Sequence, residues 1–165
     1  MPKWNQDQPA PKELLRLVTQ AFPEYIKKDV GVIFAQRNVA GSSKPSDHSE
    51  GRALDIHFSI LPKIPTEDEK GVADFLFRLF IEEYRDLGMD YVIWNRQIWS
   101  LVNPSINTYP NPKDPKANQQ SPHLDHIHVS WTHEGSQFIN FPVVSLRMNL
   151  YAHLRKKSFE ELKKY

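Results

Sequence analysis

Two short stretches of the chain alternate apolar and polar residues with a period of two. From Ala53 to Phe58, Leu54, Ile56 and Phe58 share one face, while Ala53, Asp55 and His57 share the other. From His126 to Trp131, Ile127, Val129 and Trp131 point one way, and His126, His128 and Ser130 the other. Each pattern predicts a strand with an apolar face for a helix layer and an opposite face carrying polar groups. Val30–Gln36 predicts another short strand. Tyr91–Trp94 and Gln97–Ser100 predict a hairpin turning at Asn95 and Arg96.

Helical spacing appears elsewhere. Leu14, Leu17, Val18 and Ala21 predict a helix over Glu13–Phe22, stopped by Pro23 and preceded by a Pro-rich arm over residues 1–11. Thr66-Glu67-Asp68-Glu69 reads as a capping box with acids in the first turn. The helix it opens is expected to run to about Leu87 and stop at Gly88, with Val72, Phe75, Leu76, Leu79 and Phe80 inward and Ile81 and Tyr84 widening the stripe. Val143–Tyr165 predicts one or two helices, with Ser158-x-x-Glu161 as a second cap and Arg155-Lys156-Lys157 on a solvated face. Asn38–Ser46 and Asn103–Ser121 read as loops, the second bordering the face that carries the histidines.

At 165 residues the chain suits one domain, residues 1–165, with a proper core. A formal charge of +1 argues against a general nucleic-acid or membrane surface, and no run is apolar enough to insert into a bilayer. The absence of cysteine excludes disulfides, thiolate metal sites and cysteine nucleophiles. Any metal must be held by nitrogen and oxygen.

Polar side chains at alternate positions of otherwise apolar strands destabilise a fold unless something satisfies them. A metal ion does so. If the two strands are neighbours in one sheet, Asp55 and His128 meet on the same side. Gly51 lets the chain curl back so that His48 joins them. Two imidazoles and one carboxylate suit a catalytic Zn2+, which takes three protein ligands and keeps one position open. His126 and His128 are two residues apart, roughly 6.5–7 Å along one face. That spacing suits one ligand and one group beside it. His126 is the favoured base or transition-state stabiliser and Asp125 the second candidate, while His123 reaches the cleft rim. His57 shares a face with Asp55, and as a fourth ligand it would close the site and remove the case for catalysis.

At these residues the sequence resembles a known group. Ser46-x-His48-x-x-Gly51-x-Ala53-x-Asp55 is similar to the Ser-x-His-x-x-Gly-x-Ala-x-Asp signature of the zinc D-alanyl-D-alanine carboxypeptidase and dipeptidase superfamily. That superfamily also includes lysostaphin-type endopeptidases, penicillin-insensitive murein endopeptidases and the hedgehog signalling domain. The resemblance implies zinc ligation by His48, Asp55 and His128. His123-x-x-His126-x-His128 is similar to the murein endopeptidase version, whose middle His assists catalysis. The carboxypeptidase branch has Glu where this chain has Asp125, one methylene shorter. Tyr91–Ser100 resembles a Trp-Asn-Arg segment of a bacterial subgroup of carboxypeptidase-like domains. The likeness runs from about Val32 to Trp131.

The resemblance implies a zinc peptidase acting on peptide stems or cross-links of bacterial peptidoglycan, of the carboxypeptidase or endopeptidase type. The family has an Arg shortly before its first motif, which makes Arg37 the candidate oxyanion partner or carboxylate clamp; Arg52 and Arg96 are alternatives. Ser46, His123 and Trp94, with Trp99, complete the expected substrate-side residues. The expected fold is α+β: a small antiparallel sheet with helices on one face and the zinc cleft on the other. Action in the periplasm or on the cell wall is implied. Met1–Gln6 lacks the apolar stretch of a signal peptide. Release by lysis, delivery by a secretion apparatus (as for a toxin, with an immunity partner) or excision from a longer protein is therefore expected. The rival readings are a non-catalytic zinc-containing module that binds cell wall or protein, and a zinc hydrolase for another amide or ester.

Overall fold

The alternating stretches form β1 (Ala53–His57) and β5 (His126–Trp131), antiparallel neighbours in a five-stranded sheet. In the computed structural model, which describes residues 4–27 and 33–162, β2 (Met89–Trp94), β3 (Gln97–Ser100) and β4 (Asn103–Thr108) complete the order β1-β5-β2-β3-β4. Every pairing is antiparallel. Asp55 stands opposite His128, and His128 opposite Ile93. A slip of one residue would turn Asp55 or His128 toward the core, so the apolar face fixes this register.

That apolar face is fully covered. Leu54, Ile56 and Phe58 share one core with Ile127, Val129 and Trp131, and all six are 0% exposed. Helix α1 (Pro9–Ala21) contributes Leu14 and Val18, and α2 (Glu67–Glu82) contributes Val72, Leu76 and Phe80. Burying a side chain of this size contributes about 1.5–3 kcal/mol. The α+β architecture is therefore as expected, with helices on one face of an antiparallel sheet.

Several boundaries differ from the sequence reading. Helix α1 starts at Pro9, inside the expected arm, because proline is tolerated in a first turn whose N–H groups have no helical partner. Of the strand expected over Val30–Gln36, residues 30–32 lie outside the described residues, and Ile33–Gln36 is irregular. The capping box at Thr66 and Glu69 is present, but its helix breaks at Glu83 before a short α3 (Tyr84–Leu87), which Gly88 ends in the left-handed region at φ 65°. Asn103–Thr108, expected within a loop, is an edge strand exposed on both faces, so no alternation marks it, and an edge tolerates Pro104. Helix α4 (Pro142–Leu162) is continuous, and Ser158 lies inside it rather than capping a new one. Arg155 is not simply solvated: it pairs with Asp68, donates to Tyr151 and lies over the rings of Tyr25 and Tyr151. No helix among the described residues is long and apolar enough to cross a membrane.

Gly51 is where the fold constrains the loop that carries His48 most tightly. It ends the 3-10 turn Asp47–Glu50 at φ 68°, and its carbonyl accepts from the Gln8 N–H at 3.0 Å. A Cβ there would lie 1.9 Å from the Gln6 carbonyl oxygen. Gly51→Ala is expected to destabilise the protein by on the order of 3 kcal/mol, seen as a lowered midpoint in thermal unfolding.

Candidate metal centre

His48, Asp55 and His128 converge beneath the exposed face of the sheet, where each is at least nine-tenths buried. Asp55 Oδ1 lies 2.8 Å from His128 Nδ1 and 3.2 Å from His48 Nε2, and the two ring nitrogens are 3.3 Å apart. Register partnership supplies Asp55 and His128. The 3-10 turn supplies His48, with Ser46 as its N-cap: the Ser46 hydroxyl accepts from the His48 N–H at 3.4 Å. Bonds of about 2.0–2.1 Å in a tetrahedral site place ligand atoms about 3.3 Å apart. The triangle fits that edge length.

Outer hydrogen bonds fix which nitrogens face inward. His48 Nδ1 donates to the Ile33 carbonyl at 2.8 Å, which leaves Nε2 bare. Ser130 Oγ donates to Asp47 at 2.7 Å, so it accepts from His128 Nε2–H at 3.2 Å, and His128 Nδ1 is bare. Tyr91 Oη adds a second contact to His128 Nε2 at 3.3 Å. Three inward atoms that accept and do not donate need a positive charge between them, a proton or a metal ion. Nitrogen and oxygen donors of this kind suit zinc. Burial pushes His128 below the usual imidazole range, which keeps it in the ligating form. Burial works to raise the Asp55 carboxyl, but with a proton shared among the three inward atoms, hydrogen bonding with His128 and His48 outweighs burial and holds the group well below the carboxylate range.

A second set of groups stands beside this triangle. His126 Nδ1 donates to Asp125 Oδ1 at 2.8 Å, leaving Nε2 bare and 3.8 Å from Asp55 Oδ1. Asp125 precedes the first residue of β5, so its side chain escapes the alternation that would have sent it to the core face. Burial acts to raise Asp125, but the hydrogen bond from His126 holds it below the usual range. His57 stacks on His126, with ring centroids 4.6 Å apart, and belongs to this second set rather than to the triangle. His123, at φ 51°, donates from Nδ1 to the Ser121 carbonyl at 2.7 Å and packs 4.7 Å from the His126 ring.

These groups line a cleft of about 530 Å3 whose walls include Arg37, Ser46, Tyr91, Ile93, Tyr109 and His123. Arg37 is half exposed and places Nη2 3.1 Å from Asp55 Oδ2, so it steadies that carboxylate and has further N–H donors at the cleft wall. Trp94 is not there. Alternation along β2 sends Tyr91 and Ile93 to the cleft and Trp94 to the core, where it donates to Asp74 of α2 at 2.7 Å and packs on Phe58. Trp99 is also core, against Tyr84. Arg52 clasps Asp47, Glu50 and the Trp131 carbonyl, and Arg96 occupies the exposed hairpin turn at φ 63°. Sequence reasoning did not single out Asp47, Ser130 or Tyr91 as supports. Ser130 shares the parity of His126 and His128, and that was its one available signal.

Burial pushes His123 down to about 3 from an ordinary value of 6.5. Between those values the unfolded chain takes up a proton that the folded one refuses, so this part of the stability is present above pH 6.5 and lost as the pH falls toward 3. His128 and Asp55 act in the same direction. In metal-free protein, His123→Gln should flatten part of the fall in thermal midpoint across that acid window.

Residues 5–120 match the family described as VldE, C-terminal domain, and the chain belongs to that family. The matched span contains Arg37, His48 and Asp55 and ends before His123. No curated protein and no solved structure matches the chain.

Proposed function

We propose that the protein is a zinc-dependent peptidase or amidohydrolase that cleaves peptide stems or cross-links of bacterial peptidoglycan, acting in the periplasm or on the cell wall. The observation that carries the proposal is the pairing of an inward-facing His48–Asp55–His128 triangle with a bare His126 Nε2 backed by Asp125. Bound zinc would supply water acidified to near neutrality and polarise the scissile carbonyl. His126 then serves as the base. Asp125 holds its proton on Nδ1, so Nε2 is free to take a proton from water and return it to the leaving amine. Arg37 offers its remaining donors to a developing oxyanion or a substrate carboxylate. The assignment to peptidoglycan rests on the likeness of Ser46–Asp55 and His123–His128 to the carboxypeptidase and murein endopeptidase motifs. His57 lies outside the triangle, which leaves the ligand set at three and favours turnover over a closed structural site.

The test is incubation of purified peptidoglycan with zinc-loaded protein, with released muropeptides read by mass spectrometry. New products from the wild type, absent with Asp55→Ala and His126→Ala, are expected. Unchanged muropeptides with zinc stoichiometrically bound would instead identify a non-catalytic binding module.

A further inference from the structure

We propose that His57, Asp125 and His126 form a second, weaker divalent-cation site whose occupation switches off the base. The two histidines are register partners on β1 and β5. Their rings stack at an interplanar angle of 24°, and Asp125 turns one oxygen to each. Oδ1 lies 2.8 Å from His126 Nδ1, and Oδ2 lies 3.6 Å from His57 Nδ1. The donor atoms all lie within 4.8 Å of one another, a looser spacing than the roughly 3.3 Å edge of a tetrahedral zinc site, in keeping with weaker binding.

A separate observation points to a ligand. His57 Nδ1 is buried and has no hydrogen-bond partner among the described residues. Such an atom is costly to leave unpaired, by about 1–3 kcal/mol. Asp125 lies too far for a hydrogen bond to it, though within reach of a shared cation. Two imidazoles and a carboxylate suit a borderline divalent ion, and zinc is the natural probe.

The consequence follows from the proton on His126. As a base, the ring keeps its hydrogen on Nδ1 and a lone pair on Nε2. An ion bound at Nδ1 requires the lone pair there, so the ring's one proton leaves Nδ1 and is carried on Nε2 instead. The base becomes a donor facing Asp55, and Asp125 is drawn away from its supporting role. Zinc in excess of the first equivalent would then inhibit. Only this inhibitory consequence rests on the function proposed above.

The experiment titrates Zn2+ into the chelator-stripped protein, counting bound ions by native mass spectrometry and following imidazole nitrogens by long-range 1H–15N NMR. Wild type is expected to bind two ions in succession, the second shifting the Nδ1 signals of His57 and His126. His57→Phe keeps the stacked ring and removes the donor, and it should bind only the first ion. His48→Ala should lose the tight ion. One ion in wild type, or two in His57→Phe, overturns the second site while leaving the proposed function standing. No bound ion at all would overturn both.

Discussion

Asp55→Ala is expected to yield folded protein that holds no zinc after dialysis and hydrolyses peptidoglycan at least about 1,000-fold more slowly than wild type. The side chain sits at the centre of the arrangement. Oδ1 faces His128, His48 and His126 at 2.8, 3.2 and 3.8 Å, while Oδ2 takes the Arg37 guanidinium. Two buried imidazoles without the carboxylate lack both the third donor and the negative charge that offsets a dication. Asp55→Asn is the sharper variant, because it keeps the shape and removes the charge. Metal content by mass spectrometry, read together with muropeptide release, checks the prediction. Stoichiometric zinc in either variant would contradict the ligand assignment.

His126→Ala is expected to separate binding from chemistry. The variant should retain one tightly bound zinc, since His48, Asp55 and His128 remain, yet lose about 100- to 10,000-fold in rate, the usual range for a positioned general base. Asp125→Asn should show a smaller loss, because an amide oxygen can still accept from His126 Nδ1 while no longer stabilising a charged ring. The ratio of rate loss to metal loss decides between the roles. If His126→Ala sheds its zinc, His126 belongs among the ligands. If it keeps both zinc and full activity, the base lies elsewhere in the cleft, where His57 and His123 are the neighbouring rings at 4.6 and 4.7 Å.

Parity makes much of this site legible in the sequence. Alternation put Asp55 on one face of its strand and His128 on one face of another, and the need to cover Leu54, Ile56, Ile127 and Val129 forced both faces the same way. What parity along one strand does not reveal is its phase relative to a neighbour. Trp94 was therefore expected in the cleft, although the Ile93–His128 register puts it in the core. The edge strand Asn103–Thr108 was hidden because neither of its faces is buried, so its sequence carries no hydrophobic period. The Asp47–Ser130–His128 chain joins residues 83 apart in sequence, a contact that no local pattern records. His57 was legible as a neighbour of Asp55 on the polar face, but only the geometry shows it stacked on His126 and outside the triangle.

The account stands most directly on where an ion sits. Anomalous diffraction at the zinc edge, from crystals grown with one equivalent of metal, locates it. The expected result is a single strong peak bonded to His48 Nε2, Asp55 Oδ1 and His128 Nδ1 at about 2.0–2.2 Å, with its remaining coordination open to solvent. A protein that takes up no zinc, or a peak away from those three atoms, would contradict it.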